Sequence, residues 1–466
     1  MMTSQVAVAP DARAGHRWVT LAVVLAGQFM ASLDTTVGNV AAPDIGTELQ
    51  VSAGTVRLAI VAYTLLYASL LITGARIGAD RGRRRVFLAG VVVFTVASAA
   101  AGAAPSAAVL VGARAVQGIG AALMIPQIVS VIQISFTDSA RARALSAFSA
   151  MISIGGAVGL AAGGGLIDLD LLGLGWRSVF LVNVPIGIVL VVVAALVLPR
   201  VPVAERRLDV PGVVLLTCGA ILVISALTLG TDSGRPPWSI AAAMAGVAVL
   251  AVFAAHQRRT SRRGRPVLVE PALFTTRGVR PGLLGLLLLG TPYTGILFCV
   301  AADLQVRHGS TAGVAGYALL PLAIGFGIGG VIPSLVRPGR QRVLLIGGVV
   351  IAGAALLLLA WLTRGERWPV AAAAVVLGVC GLGFGAAFSP LFALTVAHVR
   401  RVNIPDASGM ATTVIQFSFV AGVAVFGSVY QATGHLATAF VVMAVVVLVA
   451  PVLARLHTLR EAGTPE

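Results

Sequence analysis

Runs of about 20 apolar residues recur from one end of this chain to the other, and no other feature of the sequence limits the fold as strongly. A helix needs about 20 such residues to cross the hydrocarbon core of a bilayer, where its backbone must satisfy its own hydrogen bonds. Hydrophobic residues make up 58% of the 466 positions and charged residues only 11%, which is far from the balance of a water-soluble domain. The sequence therefore predicts an all-α integral membrane protein.

The apolar runs divide into fourteen predicted membrane spans when the chain is cut at charge clusters and at Pro/Gly breaks. The residues before the first run lack the small-residue cleavage site of a signal peptide, so we expect that run to be retained as a helix. An even number of spans places both ends of the chain on one side of the membrane. The predicted spans are 18–42, 56–77, 86–104, 107–134, 144–166, 178–198, 211–230, 238–255, 281–303, 313–336, 343–362, 369–397, 408–431 and 435–454.

All of the positive charge comes from arginine, since the chain contains no lysine. With the N-terminus inside, 26 of the 33 arginines fall in inner loops, tails or inner span ends, six in outer segments or outer span ends, and one, Arg114, well within a span, as the positive-inside bias predicts. We therefore expect a multi-pass protein of the bacterial cytoplasmic (inner) membrane with both termini cytoplasmic, and we expect no nucleic-acid partner despite the net charge of +16. The absence of lysine also excludes a Walker A phosphate loop.

The spans group into two halves around a short insertion. Residues 1–200 are predicted to form an N-terminal six-helix bundle, residues 201–270 a two-helix insertion with a basic cytoplasmic loop, and residues 271–466 a C-terminal six-helix bundle. The loops are too short to hold a soluble catalytic or nucleotide-binding domain. The three cysteines stand alone in apolar stretches, so we expect neither a disulfide nor a metal site. Two similar halves indicate a transporter with a site between them.

One carboxylate, Asp34, lies in the otherwise uncharged first span. Small residues share its helical face, whereas Gln28 and Asn39 lie on the neighbouring face as candidates to line a substrate cavity. In one interpretation the small face packs against another helix and Asp34 only forms hydrogen bonds there. In the other, Asp34 exchanges protons, because intramembrane charges are costly and commonly functional. Burial disfavours the charged carboxylate and a nearby cation favours it, so we predict a proton-coupling residue.

The fourth span contains its own charge, Arg114. Helical rise places Arg114 and Asp34 in the same outer half of the membrane, close enough in depth to interact. Gln117 shares a face with Arg114, and we expect it to line the cavity. Arg114 is either a structural clamp on carboxylate or carbonyl groups, or a residue that tunes the proton affinity of Asp34.

Three separate stretches carry a family resemblance. Leu33 to Pro43 is similar to the signature LDxTVVNVALP, Arg114 to Ala122 resembles a fourth-helix motif implicated in proton transfer, and Trp176 to Gly187 is similar to WRWIFLINVPIG. Together they resemble the major facilitator superfamily, specifically its fourteen-helix drug:proton antiporters of the EmrB/QacA type. The resemblance implies two six-helix bundles plus two additional central helices, and a proton carrier at Asp34. It also implies a monomer that is driven by the proton gradient and needs no cofactor.

The segment after the second span resembles the gating motif of the superfamily, with its Asp-Arg pair one residue closer to the following glycine than usual. The carboxylate of Asp80 can form an ion pair with neighbouring arginines or cap a helix end, and either interaction could hold an inner gate closed. Alternatively, this segment carries ordinary topogenic charge. The motif residues are Gly74, Gly78, Asp80, Arg81, Gly82, Arg83 and Arg84.

Glycines follow one another at helical spacing in the fifth span, where small residues let helices pack closely. The pattern resembles the antiporter motif GxxxGPxxGG, although Leu160 replaces its proline, so the bend that proline imposes is not expected. The motif glycines are Gly155, Gly159, Gly163 and Gly164.

Three further positions complete the predicted substrate cavity. Tyr63 either stacks on a planar substrate or fills a helix interface. Asp303 ends the ninth span and is either a wetted residue at the lip of the cavity or a contact for a cationic substrate. Gln416 shares a face with other polar residues of the thirteenth span.

These patterns predict a secondary active transporter rather than an enzyme. The leading hypothesis is a proton-coupled antiporter for multidrug efflux or antibiotic resistance, which exports small amphipathic organic compounds. Its partners are then the small-molecule substrate, protons and the lipid bilayer. Proton-coupled uptake of a metabolite is the alternative that the same fold allows, and a membrane enzyme or sensor lacks any recognisable nucleophile or signalling domain. The sequence does not identify the substrate.

Overall fold

Helices account for almost all of the structure, a computed structural model that describes residues 14–136, 138–199, 209–229, 236–276, 278–336, 340–365, 368–396, 399 and 404–462. No β-strand occurs in these ranges, which confirms the predicted all-α class. The helices are α1 (Ala14–Leu49), α2 (Ala53–Arg81), α3 (Arg83–Gly102), α4 (Ala107–Ser135), α5 (Asp138–Asp168), α6 (Ser178–Leu181), α7 (Asn183–Val197), α8 (Val210–Leu229), α9 (Pro237–Arg262), α10 (Val279–Ala302), α11 (Ala312–Leu335), α12 (Gln341–Leu362), α13 (Val370–Val396), α14 (Ile404–Thr433) and α15 (Leu436–Ala462).

Thirteen of the described segments are long and apolar enough to cross a membrane, and Leu436–Val449 is a shorter apolar helix. They correspond in order to the fourteen predicted spans. The sixth span combines a 3₁₀ turn, Gly175–Arg177, with α6 and α7. The protein is therefore a multi-pass membrane protein.

Within the first half, α1 packs on α5, α4 packs on both α2 and α3, and α7 packs on α3. The second half repeats this scheme, because α10 packs on α14, α13 on both α11 and α12, and α15 on α12. The two central helices α8 and α9 pack on each other, and α8 contacts α2 and α14.

Glycine allows the closest of these helix pairs. A Cβ atom at Gly155 or Gly159 would lie within 3.0 Å of the α1 backbone, and one at Gly163 would meet the Val37 side chain. Gly164 instead faces the backbone of Ala312 in the second half. The close packing predicted for this glycine stripe is confirmed, and α5 continues as a helix through Leu160.

The segment of the gating motif is helical almost throughout. The helix α2 continues to Arg81, α3 begins at Arg83, and Gly82 alone connects them with a φ of 96°, a left-handed value that favours glycine. Gly74 and Gly78 pack tightly against Ala122 and Gln127 of α4. Asp80 makes no ion pair or hydrogen bond with any described residue, so the predicted latch through Asp80 is not formed in this conformation.

The two halves are joined at one face of the bundle. We call the face at which α1 begins the terminal face and the opposite one the distal face. At the distal face Asp168 accepts hydrogen bonds from the Thr311 hydroxyl at 2.7 Å and the Gly313 amide at 3.1 Å. Gln305 donates to the Val40 carbonyl at 3.0 Å. These contacts close the distal side of the space between the halves.

Candidate functional site

Asp34 is fully buried near the middle of α1, and three side chains coordinate its carboxylate. Arg114 of α4 forms an ion pair with Oδ2. Gln117, one turn along α4, donates to Oδ1 at 2.7 Å, and Asn183 at the start of α7 donates to the same oxygen at 3.1 Å. The structure thus brings the two predicted proton-coupling residues into direct contact.

The Arg114 guanidinium is itself enclosed, with an exposure of only 2%. It donates to Gln117 Oε1 at 2.7 Å, and its central carbon lies 4.6 Å from the centroid of the Tyr63 ring and 5.2 Å from that of Phe180. Aromatic faces at these distances attract a cation. Arg114 is therefore held by polar and aromatic partners in addition to Asp34.

A serine joins the donors of this network. Ser98 of α3 accepts hydrogen bonds from Gln117 at 3.1 Å and from Asn183 at 3.2 Å, and it donates to the Phe180 carbonyl at 3.0 Å. Neither Ser98 nor Asn183 is among the site residues predicted from the sequence. Asn183 lies within the stretch that resembles WRWIFLINVPIG, so a signal for it was present, whereas a serine in an apolar helix has no distinctive pattern.

The cost of burying a charge explains why the Asp34 carboxylate has several polar partners. A carboxylate removed from water is stable only if it is paired and hydrogen-bonded, and losing one partner of a buried pair costs about 3–5 kcal/mol. The partners of Asp34 lie on α4 and α7, and Ser98 connects these partners to α3. A change in the charge of Asp34 therefore alters contacts among four helices of the first half.

Two residues predicted to line the cavity belong to this network instead. Gln117 is fully buried between Asp34 and Ser98. Tyr63 is also fully buried, donates to the Ala31 carbonyl at 3.3 Å, and packs edge-on against Phe94. Stacking of Tyr63 on a substrate is thus wrong for this conformation, because its ring faces already contact Arg114 and neighbouring helices.

The other polar candidates keep unused hydrogen-bonding capacity. Gln28 donates to Ser32 at 2.8 Å, but its Oε1 and the Oδ1 of Asn39 are buried without a partner among the described residues. Gln416 is 9% exposed, and its side chain makes no hydrogen bond within the described part of the chain. Buried polar groups are normally satisfied, so such groups are available to a ligand.

Asp303 is not a wetted residue at the lip of the cavity, and that prediction is wrong. Its exposure is 2%, the Tyr430 hydroxyl donates to it at 2.9 Å, and His308 lies 3.4 Å from its Oδ2. The chain changes from α10 to a π-helical turn, Asp303–Arg307, and this turn keeps the carboxylate directed at α14. With these partners Asp303 is not exposed to a substrate here.

A second buried arginine, Arg57, is one of the six arginines that the sequence assigns to the outer side. It is 1% exposed near the start of α2 and donates to Gln431 of α14, in the other half. Gly427, one turn before Gln431, leaves room for the Arg57 stem, because a Cβ there would lie 2.8 Å from Arg57 Cδ. Segment boundaries drawn from hydropathy cannot separate such a residue from a loop charge.

Comparisons with known proteins agree with this architecture. A family model described as Major Facilitator Superfamily matches residues 24–423. The chain is 37% identical to a probable actinorhodin transporter of Streptomyces coelicolor, over 89% of this chain and 72% of the relative. It is 34% identical to the cephamycin export protein CmcT of Amycolatopsis lactamdurans, over 96% and 94% of the two chains.

Solved structures share the fold at lower sequence identity. A bacterial homologue of the human lysosomal transporter Spinster, in an inward-facing and unoccupied conformation, superposes with a TM-score of 0.65 at 17% identity. The match covers 98% of this chain and 100% of that one. Together with the family match, these likenesses show that the chain belongs to the major facilitator superfamily and is a membrane transporter, not an enzyme.

Proposed function

We propose that the protein is a proton-coupled antiporter that exports small amphipathic organic molecules across the bacterial cytoplasmic membrane by alternating access. The observation that carries the proposal is the Asp34 site, a buried carboxylate that pairs with the Arg114 guanidinium and accepts hydrogen bonds from side chains of α4 and α7. Its protonation state sets the contacts of the first half.

Protonation would remove the ionic attraction between Asp34 and Arg114. The guanidinium then keeps Gln117 and the rings of Tyr63 and Phe180, so it has alternative partners within reach. Gln117 and Asn183 would lose a charged acceptor and keep Ser98. The network thus has a neutral arrangement as well as a charged one, as a proton switch requires.

We infer that the terminal face is cytoplasmic, because the loops assigned to it are basic, in line with the positive-inside bias. Since the halves are joined at the distal face, this conformation would receive substrate from the cytoplasm. A proton arriving from outside onto Asp34 after the bundle rocks open would favour release of the substrate outward. One proton crossing 100 mV supplies about 2.3 kcal/mol, enough for roughly 50-fold accumulation of a neutral substrate.

Several relatives support the substrate class. Besides the actinorhodin and cephamycin exporters, the chain is 33% identical to the puromycin resistance protein pur8 of Streptomyces alboniger, over 90% and 82% of the two chains. These names cover chemically different antibiotics, so the proposal is limited to small amphipathic compounds. We further propose that the protein acts as a monomer, with protons as the only coupling partner and no bound cofactor.

Everted membrane vesicles provide the test. Respiration acidifies their interior, and acridine orange reports the gradient by quenching. In an efflux-deficient host we would first identify, among puromycin, cephamycin C and actinorhodin, a compound to which the chain confers resistance. Adding that compound to vesicles should restore fluorescence, because substrate entering the lumen releases protons. Asp34→Asn should abolish this response.

Glu48→Gln is the matched control, since Glu48 lies on the same helix but is 49% exposed and pairs only at the surface with Arg177. It should keep the full response. A full fluorescence response from Asp34→Asn would exclude Asp34 as the coupling residue. If intact cells that express the protein accumulate the compound instead of expelling it, the proposal of export would be replaced by one of uptake.

A further inference from the structure

Aromatic side chains from three other helices of the second half gather around Tyr293 of α10. Its ring centroid lies 4.7 Å from that of Phe326 on α11, 5.8 Å from Phe384 on α13 and 6.5 Å from Phe419 on α14. Phe388 extends the group, 5.8 Å from Phe326. We call these five residues the aromatic patch.

The patch is directed into the bundle rather than at lipid. On α11 the lipid-facing side is marked by Tyr317, Ile324 and Ile328, which are 52–56% exposed. Phe326 lies two residues from Ile324, on the opposite side of the helix. Phe384 is fully buried at the base of the patch, whereas the other four rings are half-buried. Because Phe326 points away from the lipid-facing side of α11, we infer that the open side of the patch faces the space between the halves.

Gln28 of α1 lies at the same depth as the aromatic patch. The hydrogen bond between Gln305 and Val40 sets a common level for α10 and α1. Twelve residues towards the terminal face from that level lie Tyr293 on α10 and Gln28 on α1, both about 18 Å away along their helices.

The orientation of α1 places Gln28 on the side that faces the second half. Asp34 turns to α4, Thr36 donates to the Gly156 carbonyl of α5, and the Ala31 carbonyl accepts from Tyr63 of α2. Gln28 lies on the remaining side of the helix, between the sides that face α2 and α5. It therefore faces the second half, where the aromatic patch lies.

Unused polar groups border the patch. The Tyr293 hydroxyl and the Gln416 amide make no hydrogen bond within the described part of the chain, and Gln28 Oε1 is buried without a described partner. Gln416 lies one turn before Phe419 on α14. The carboxylates buried in the described membrane spans are both engaged, since Asp34 binds Arg114 and Asp303 binds Tyr430. The site thus combines flat apolar surface with a few neutral hydrogen-bonding groups.

We propose that the aromatic patch, with Gln28 and Gln416, binds uncharged, planar, fused-ring aromatic molecules that carry hydroxyl or carbonyl oxygens. The rings stack on the patch, and the oxygens bond to the amides and to Tyr293. This names the substrate class of the exporter and rests on the proposed function for its role in transport. Binding itself requires no proton gradient, so the two proposals fail separately.

The test measures binding of quinizarin, a neutral dihydroxyanthraquinone, to the full-length protein in lipid nanodiscs through quinizarin fluorescence. Progesterone, a non-aromatic fused-ring molecule, is the competing probe and should bind at least about tenfold more weakly. Phe326→Leu should weaken quinizarin binding about tenfold, and Tyr293→Phe about threefold to tenfold. Tyr317→Leu, on the lipid-facing side of the same helix, should leave the affinity unchanged.

Tyr293→Phe removes one oxygen and keeps the ring, so it remains informative if Phe326→Leu does not fold. The proposal would be overturned if quinizarin does not bind, or if progesterone binds equally well. It would also be overturned if the affinity for quinizarin is unchanged in Tyr293→Phe and in Phe326→Leu, or in Tyr293→Phe alone where Phe326→Leu does not fold. In those cases Asp34-dependent export of another compound would leave the proposed function intact. Conversely, patch-dependent binding with coupling that ignores Asp34 would overturn only the proton mechanism.

Discussion

Two carboxylates, Asp34 and Asp303, are buried within the described membrane spans, and they differ in what surrounds them. Asp34 takes all of its partners from its own half, through α4 and α7. Asp303 accepts from Tyr430, and the next residue, Gln431, accepts from Arg57 of the other half. One carboxylate therefore lies inside a helical bundle, and the other lies next to the joint between the bundles.

This difference separates two mechanical roles. If the halves rock as rigid bodies, contacts within a half persist through the cycle, whereas contacts across the distal face must break when that face opens. A change at Asp34 should act on stability and on proton coupling. A change near Asp303 should act on the balance between conformations.

The largest expected effect comes from removing the counter-charge of Asp34. Arg114→Met leaves a buried carboxylate without its cation and should lower the free energy of unfolding by about 3–5 kcal/mol. The double variant Asp34→Asn with Arg114→Met should recover most of that loss, since neither charge remains. Unfolding of the purified single and double variants in detergent, analysed as a double-mutant cycle, measures the interaction free energy between the two residues.

Additive losses in that cycle would mean that the two charges do not stabilise each other. Both variants should fail in the vesicle assay, because neither retains the Asp34 carboxylate beside the Arg114 guanidinium. The double-mutant cycle thus measures how much the ion pair contributes to stability, whereas the vesicle assay measures its role in proton coupling.

A pair of glycines on α5 gives the next largest effect. Gly159→Ala places a methyl group within 3.0 Å of the α1 backbone, inside the first half, and should cost about 1–3 kcal/mol of stability through overpacking. Gly164→Ala places the same group within 3.0 Å of the Ala312 and Gly313 backbone, in the other half. It should instead push the distal face open.

Spin labels at Leu172 and Val306 measure that opening, since both residues are exposed near the distal face, in different halves. The distance distribution in a cysteine-free background should shift to longer values in Gly164→Ala and stay unchanged in Gly159→Ala. Equal distance shifts in the two variants would contradict the division into contacts within and between halves.

Removing a single hydroxyl tests the same division on a smaller scale. Thr311→Val deletes the hydroxyl that donates to Asp168 across the distal face, and hydrogen bonds to charged groups contribute about 1.5–3 kcal/mol. The same spin labels should report a larger open population. Tyr63→Phe, which loses a bond to the Ala31 carbonyl within the first half, is the control and should not change the distances.

Hydropathy and charge were enough to predict the fold, because lipid requires long apolar helices and the arginine bias orients them. The contact between Asp34 and Arg114 was predictable too, since two charges at one depth in the membrane favour pairing. Ser98 and Asn183 were not predictable from a pattern, because a small polar residue gains its role only when another helix packs on it. Arg57 and Asp303 lie near span ends, where burial depends on how the halves meet.

A third carboxylate, Asp209, contrasts with both because it lies outside the membrane spans, immediately before α8. It accepts hydrogen bonds from His256 at 2.9 Å, from Gln257 at 2.6 Å and from the Gly212 amide at 3.0 Å. Gln257 in turn accepts from the Val269 amide at 3.1 Å, so this cluster connects the central helices to the segment before α10. Burial acts to raise the pKa of Asp209, but the bonds from His256, Gln257 and Gly212 outweigh it and lower the pKa.

The smallest expected effect follows from that depressed pKa. A carboxylate with a lower pKa in the folded state stabilises the protein fully above its ordinary pKa of about 3.9, and the stabilisation is lost as the pH falls through the folded-state value. Asp209→Asn removes the charge, so wild type should be more stable than the variant at pH 7, and the difference should shrink towards pH 3. Thermal unfolding in detergent across this range measures the difference, and one that is independent of pH would contradict it. Because Asp209 connects the central helices rather than the two halves, its loss should leave the distance between Leu172 and Val306 unchanged.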